Sequence, residues 1–169
     1  THIPASAYLG PVGMPGVTAW MGLTQICKPK AGETLVVSAA SGAVGSVVGQ
    51  LGKAMGCRVV GIAGGAEKCN YVTQQLGFDA CVDYKAHPDS KSLYTALKAA
   101  TPAGVDAYFE NVGGVIMDTV LARTNPFARV AVCGLIAGYD GAPLPMNNAA
   151  LILVNRLSIQ GFIVSERMD

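Results

Sequence analysis

Between Leu35 and Gly65 three kinds of sequence follow one another. An apolar run (Leu35-Val36-Val37) leads into a turn of small residues (Ala40-Ser41-Gly42-Ala43-Val44-Gly45-Ser46) backed by a helix-like stretch, and a second apolar run (Val59-Val60-Gly61-Ile62-Ala63) stops at Gly64 and Gly65. Over about 30 residues, that order of parts is the opening βαβ unit of a dinucleotide-binding fold. The turn carries glycine at the second and third positions of the G-x-G-x-x-G fingerprint, Gly42 and Gly45, with Ala40 at the first. Gly42 lets the backbone come near a pyrophosphate, and Gly45 lets the helix lie close on the strand. The first helical turn, around Val44, offers free N–H groups and the positive end of the helix dipole.

The end of the second run bears on which dinucleotide fits. An NAD site ordinarily places Asp or Glu about 20 residues after the glycines to bond the ribose 2′-hydroxyl, whereas a 2′-phosphate is repelled by a carboxylate and held by a cation. Here the tip reads Gly64-Gly65-Ala66, and the next helix opens with Glu67-Lys68. No acid stands at the strand end, so the pattern predicts NADP(H), with room left by Gly65 and Lys68 as the cation. Glu67 would overturn this preference if it faced the ribose. Its ordinary role is to complement the dipole of the helix it opens.

Apolar runs recur at Leu35 to Ser38, Val59 to Ala63, Ala80 to Asp83, Val105 to Phe109, Ala128 to Cys133 and Ile159 to Val164. Helix-like segments lie between them, near Val44 to Ala54, Glu67 to Leu76, Ser90 to Ala100, Val115 to Arg123 and Asn148 to Asn155. This alternation predicts an α/β fold: a doubly wound, six-stranded parallel sheet in the order 3-2-1-4-5-6 with helices on both faces. Ligands then sit at the carboxyl ends of strands 1 and 4. A composition of 51% hydrophobic residues, 21 glycines and 14% charged residues suits strands buried on both sides. At 169 residues the chain is expected to form one unit. The long loop from Gly138 to Asn148 is positioned to cover a substrate. Gly13 to Trp20 opens a further helix ahead of the first strand, as if the chain began inside a larger protein.

Several classes are disfavoured. With 12 basic and 11 acidic residues and no basic run, nucleic acid is not an expected partner. The uncharged stretch between Glu33 and Lys53 breaks into strand and helix periods with glycines, which argues against a membrane span. The five cysteines (Cys27, Cys57, Cys69, Cys81, Cys133) are odd in number and widely spaced. They read as free thiols of a cytoplasmic protein. No pair has metal-ligand spacing, and His2 and His87 lie far apart, so no zinc site is expected.

Taken together, Gly13 to Ala19, Ala39 to Ser46, Glu67-Lys68, Phe109-Glu110-Asn111-Val112-Gly113-Gly114 and Cys133-Gly134-Leu135-Ile136 resemble the zinc-independent medium-chain dehydrogenases/reductases. The NADPH-dependent alkenal, prostaglandin and curcumin reductases are the most similar group. The resemblance implies hydride transfer from NADPH to the β-carbon of an α,β-unsaturated aldehyde or ketone, with quinone reduction or a non-catalytic NADP-binding role as alternatives. It also implies an N-terminal GroES-like catalytic domain and a C-terminal return segment, both absent from residues 1–169, leaving a cofactor domain expected to be inactive by itself. A homodimer joined at the strand 6 edge is a further implication.

Carried over position by position, the resemblance puts Gly42, Val44 and Gly45 at the pyrophosphate and Lys68 and Tyr84 at the 2′-phosphate. It puts Asn111 beside the nicotinamide ribose, with helix capping as its rival role. Cys133 and Leu135, and Phe162 and Val164 near strand 6, fall beside the nicotinamide. Tyr139 becomes a hydrogen-bond donor to the enone oxygen, and Thr18 reaches the nicotinamide side. Tyr94 and Lys98 have the Y-x-x-x-K spacing of short-chain dehydrogenases, but on the helix after strand 3 they read as a surface pair.

Overall fold

The computed structural model describes residues 3–167; His2 lies outside them. Six strands form one sheet in the order β3-β2-β1-β4-β5-β6, with every neighbouring pair parallel. They are β1 (Thr34–Ser38), β2 (Arg58–Ala63), β3 (Ala80–Asp83), β4 (Val105–Glu110), β5 (Thr124–Val132) and β6 (Ser158–Gly161). The helices are α1 (Met14–Met21), α2 (Ala43–Ala54), α3 (Ala66–Gln74), α4 (Ser90–Ala100), α5 (Gly114–Leu121) and α6 (Ala150–Val154). The expected order of elements and the doubly wound topology are therefore present.

Side-chain alternation along β1 divides the core in two. Leu35 and Val37 pack with Phe109, Val59, Leu23 and Val48 under α1 and α2. Val36 faces the other way, onto Val60, Ile62, Tyr108, Leu93, Leu97 and Leu121 under α4 and α5. All five residues of β1 are buried, as a strand covered by helices on both faces must be. Helix ends follow the sequence signals: Gly56 and Gly77 close α2 and α3 in the left-handed region, at φ 81° and 74°, where glycine carries no Cβ penalty.

Beyond helix ends that move by one or two residues, as at Gln74 and Leu121, three elements differ from the sequence expectation. The last strand ends at Gly161, not Val164. Phe162 turns inward, its ring edge-on to Phe109 with centroids 6.1 Å apart, and Ile163 and Val164 leave the sheet. β5 begins at Thr124, ahead of Ala128, because Pro126 and the left-handed Phe127 interrupt its apolar pattern. The final helix is shorter than Asn148 to Asn155, because Asn147 and Asn148 hydrogen-bond to Asp118 of α5 and so begin it late. No helix among the described residues is long and apolar enough to cross a membrane.

Candidate functional site

The order of the sheet reverses between β1 and β4, and a crevice opens beyond their carboxyl ends. On its β1 side the chain passes through Ala39, at φ 49°, into the N-terminus of α2, where Gly42 is the N-cap and no side chain caps the first turn. The N–H groups there lack intrahelical partners, leaving an anion-binding end. A Cβ at Gly45 would stand 2.4 Å from the Ala39 carbonyl oxygen and 3.1 Å from Ala40 Cα. The helix lies against the turn only because that position has no side chain.

One cleft, of about 290 Å³, runs from this turn toward β2 and β3. Ser41, Gly42, Gly64, Lys68, Tyr84 and Lys85 line it, and no carboxylate does. Asp83, the nearest acid at the β3 tip, is engaged elsewhere: its Oδ1 accepts the Gly65 N–H at 2.7 Å and the Lys85 N–H at 3.0 Å. The bond from Gly65 holds that carboxyl below its ordinary value. Gly65 sits at φ 100°, a conformation that L side chains rarely adopt, and this lets its N–H reach Asp83 as α3 begins. Glu67 is exposed in the first turn of α3, outside the cleft lining.

A second, open cleft of about 510 Å³ lies past β5 and β6. Cys133, Gly134, Leu135, Tyr139, Phe162 and Glu166 are among its lining residues. Tyr139 is 74% exposed, but its hydroxyl is held over Gly134, 3.2 Å from where a Cβ would stand. Burial pushes the Cys133 thiol up to about 11, so the group stays protonated near neutral pH.

Between the clefts lies a buried polar joint absent from the sequence reading. Glu110, at the end of β4, is fully buried. Its carboxylate accepts the N–H groups of Val112 and Gly113, and the Ser38 hydroxyl at 3.3 Å. Burial pushes its carboxyl up to about 7, against the pull of those donors. Its backbone oxygen also accepts from Cys133 and Gly134, so one residue ties the ends of β1, β4 and β5 together. The Asn111 amide donates to the Ser38 carbonyl at 2.8 Å and does not cap α5, whose N-cap is Gly113.

Of the residues singled out in sequence, the structure gathers Gly42, Lys68 and Tyr84 in the first cleft and Cys133, Leu135, Tyr139 and Phe162 in the second. Val44 and Gly45 belong to the first turn of α2, and Asn111 stands behind the crevice on Ser38. Val164 lies on the short helix 164–167 and lines neither cleft. Thr18 spends its hydroxyl on the Met14 carbonyl, at 2.7 Å. Tyr94 and Lys98 on α4 line neither cleft. Lys85 was missed, and Glu110 entered only within the Phe109 to Gly114 motif, with no role of its own. Lys85 directly follows Tyr84, a signal that was available; nothing local marks the burial of Glu110.

Residues 43–169 match the family model described as zinc-binding dehydrogenase. The chain belongs to the zinc-binding dehydrogenase family. Among its relatives, the NADPH-dependent curcumin reductase of Escherichia coli is 50% identical over 94% of this chain and 46% of its own length. Prostaglandin reductase 1 of Rattus norvegicus is 48% identical over 96% of this chain and 49% of its own length. The crystal structure of CurA in complex with NADPH, from Vibrio vulnificus, superposes with a TM-score of 0.89 at 48% identity, covering 96% of this chain and 49% of that one. The chain thus spans about half the length of the curated relatives it matches. Although this zinc-binding dehydrogenase family is named for a metal, the described residues gather no group of three or more His, Cys, Asp or Glu side chains fit to hold one.

Proposed function

We propose that this chain binds NADPH across the crevice at the carboxyl ends of β1 and β4, as the cofactor half of a reductase that saturates the C=C bond of α,β-unsaturated aldehydes or ketones. The observation that carries the reading is the charge of the first cleft: lysines and no carboxylate, facing the uncapped N-terminus of α2. The names of the curcumin and prostaglandin reductases support the substrate class.

NADPH, when bound, supplies the hydride; the chain's own residues bind and orient it. Gly42, Val44 and Gly45 form the pyrophosphate end. Lys68 and Tyr84 take the 2′-phosphate, with Gly65 leaving the space. Asn111, fixed to Ser38, borders the nicotinamide ribose, while Cys133, Leu135 and Phe162 exclude water from the nicotinamide side. A thiol held protonated at Cys133 is a poor nucleophile, which protects it from an electrophilic enone. Tyr139 would donate a hydrogen bond from its hydroxyl to the substrate carbonyl, the oxygen that gains negative charge in such a reduction. Groups completing the substrate site belong, in this reading, to a GroES-like domain outside residues 1–169, and the free edge of β6 is where a second copy would add.

The test is a pair of titrations, with NADPH and with NADH, followed by nicotinamide fluorescence. Preference for NADPH is expected. Lys68→Ala should weaken NADPH by roughly tenfold to a hundredfold, the value of a charged hydrogen bond, and leave NADH unchanged. Equal binding of both dinucleotides, or of neither, overturns the proposal.

A further inference from the structure

Lys68 is not the only cation in the first cleft. Lys85, from the short turn Tyr84–Ala86 after β3, lines the same wall. Tyr84 and Lys85 both fold over Gly64: a Cβ there would stand 2.9 Å from Tyr84 Cε1, 3.0 Å from Tyr84 Oη and 3.1 Å from Lys85 Cε. The ion pairs among the described residues are Lys53 with Asp79 and Arg129 with Glu33, so neither Lys68 nor Lys85 has a carboxylate partner. Asp83, which could neutralise Lys85, gives its Oδ1 to the backbone N–H groups of Gly65 and of Lys85 itself. The bond from the Lys85 N–H fixes where that residue's side chain departs. Two ammonium groups thus reach one acid-free cleft from different elements, α3 and the β3 turn.

One cation matches a singly charged anion; two unpaired cations match a phosphate monoester, which carries −1.5 to −2 near neutral pH. We propose that Lys85 is a second specificity-determining residue, closing with Lys68 on the 2′-phosphate of NADPH from the turn after β3. The inference rests on the NADPH reading above and adds to it a residue absent from the sequence expectation. Lys85 discriminates between cofactors without touching the reacting end. It acts through charge, so its contribution falls as salt is added.

Affinities for NADPH and NADH, measured by fluorescence titration of the wild type, Lys68→Ala, Lys85→Ala and the double variant at low and moderate salt, test this. Lys85 is exposed, so its replacement leaves the fold intact, which thermal unfolding checks. The expected result is a loss of roughly tenfold in NADPH affinity for Lys85→Ala with NADH unchanged, a larger loss in the double variant, and a weaker salt dependence in each variant. NADPH binding by Lys85→Ala at the wild-type level, in a protein that still prefers NADPH, overturns the role of Lys85 alone. A wild type without that preference overturns the cofactor reading, and this proposal with it.

Discussion

Replacing Gly45 with alanine is expected to weaken NADPH binding by roughly a hundredfold, the equivalent of about 2.7 kcal/mol. The added methyl would stand 2.4 Å from the Ala39 carbonyl oxygen, 3.0 Å from the Ala39 carbonyl carbon and 3.1 Å from Ala40 Cα. All three are backbone atoms, which cannot rotate aside as a side chain would. The same carbonyl accepts the Gly42 N–H at 2.9 Å, so moving α2 off the turn displaces the N-terminus proposed to face the pyrophosphate. Overpacking of this kind also costs about 1–3 kcal/mol of stability. Gly42→Ala is the comparison for the fold alone, because its Cβ would meet the same oxygen at 3.1 Å with φ at −78°, while as part of the pyrophosphate end it too should weaken NADPH. That contact needs only a few tenths of an ångström of relief. Titration with NADPH, read beside thermal unfolding, separates a lost site from a lost fold; a Gly45→Ala variant as stable as Gly42→Ala, with wild-type affinity for NADPH, would contradict the close approach of helix and turn.

Glu110 is expected to make the fold less stable as pH rises. Its folded-state carboxyl stands at about 7 against an ordinary value of 4.5, so between those values the native protein holds a proton that the unfolded chain releases. The stabilisation is fully present below about 4.5 and is lost as pH rises through about 7, a change of about 3 kcal/mol. Glu110→Gln keeps an oxygen for the Val112 and Gly113 N–H groups but has no titrating proton, so its stability should stay flat where the wild type declines. Glu110→Ala leaves the Val112 and Gly113 N–H groups without their acceptor and the Ser38 hydroxyl with only the Phe109 carbonyl, and should cost about 3 kcal/mol or more across the range. Urea unfolding near pH 5 and pH 8 reads both effects. Equal pH dependence in the wild type and Glu110→Gln would show that another group titrates.

The sheet order was legible because βα alternation with short connections leaves few topologies, and because Gly42 and Gly45 mark the first crossover. Boundaries were less legible where tertiary contacts override local pattern. Phe162 continues the apolar run of β6 in sequence, yet the space beside Gly22 and Phe109 draws it inward, and the strand stops at Gly161. In β5, Pro126 hides a strand that begins two residues earlier. The candidate site divides the same way. Lys68 and Tyr84 stand at strand and helix ends that the pattern marks. Lys85 reads as one more surface lysine until the β3 turn carries it to the cleft wall. Glu110 reads as a charge ending a strand; its burial depends on Ser38 of β1 and on the chain after β5, both distant in sequence.

The central claim, that the crevice beyond β1 and β4 is the cofactor site, is tested most directly by amide hydrogen exchange with and without saturating NADPH. Protection is expected in two separate segments, 39–46 around the start of α2 and 64–68 at the β2 tip, with a third at 133–139 and little change along α4. NADPH that binds while leaving 39–46 and 64–68 as exchangeable as before would place the cofactor elsewhere and contradict the account.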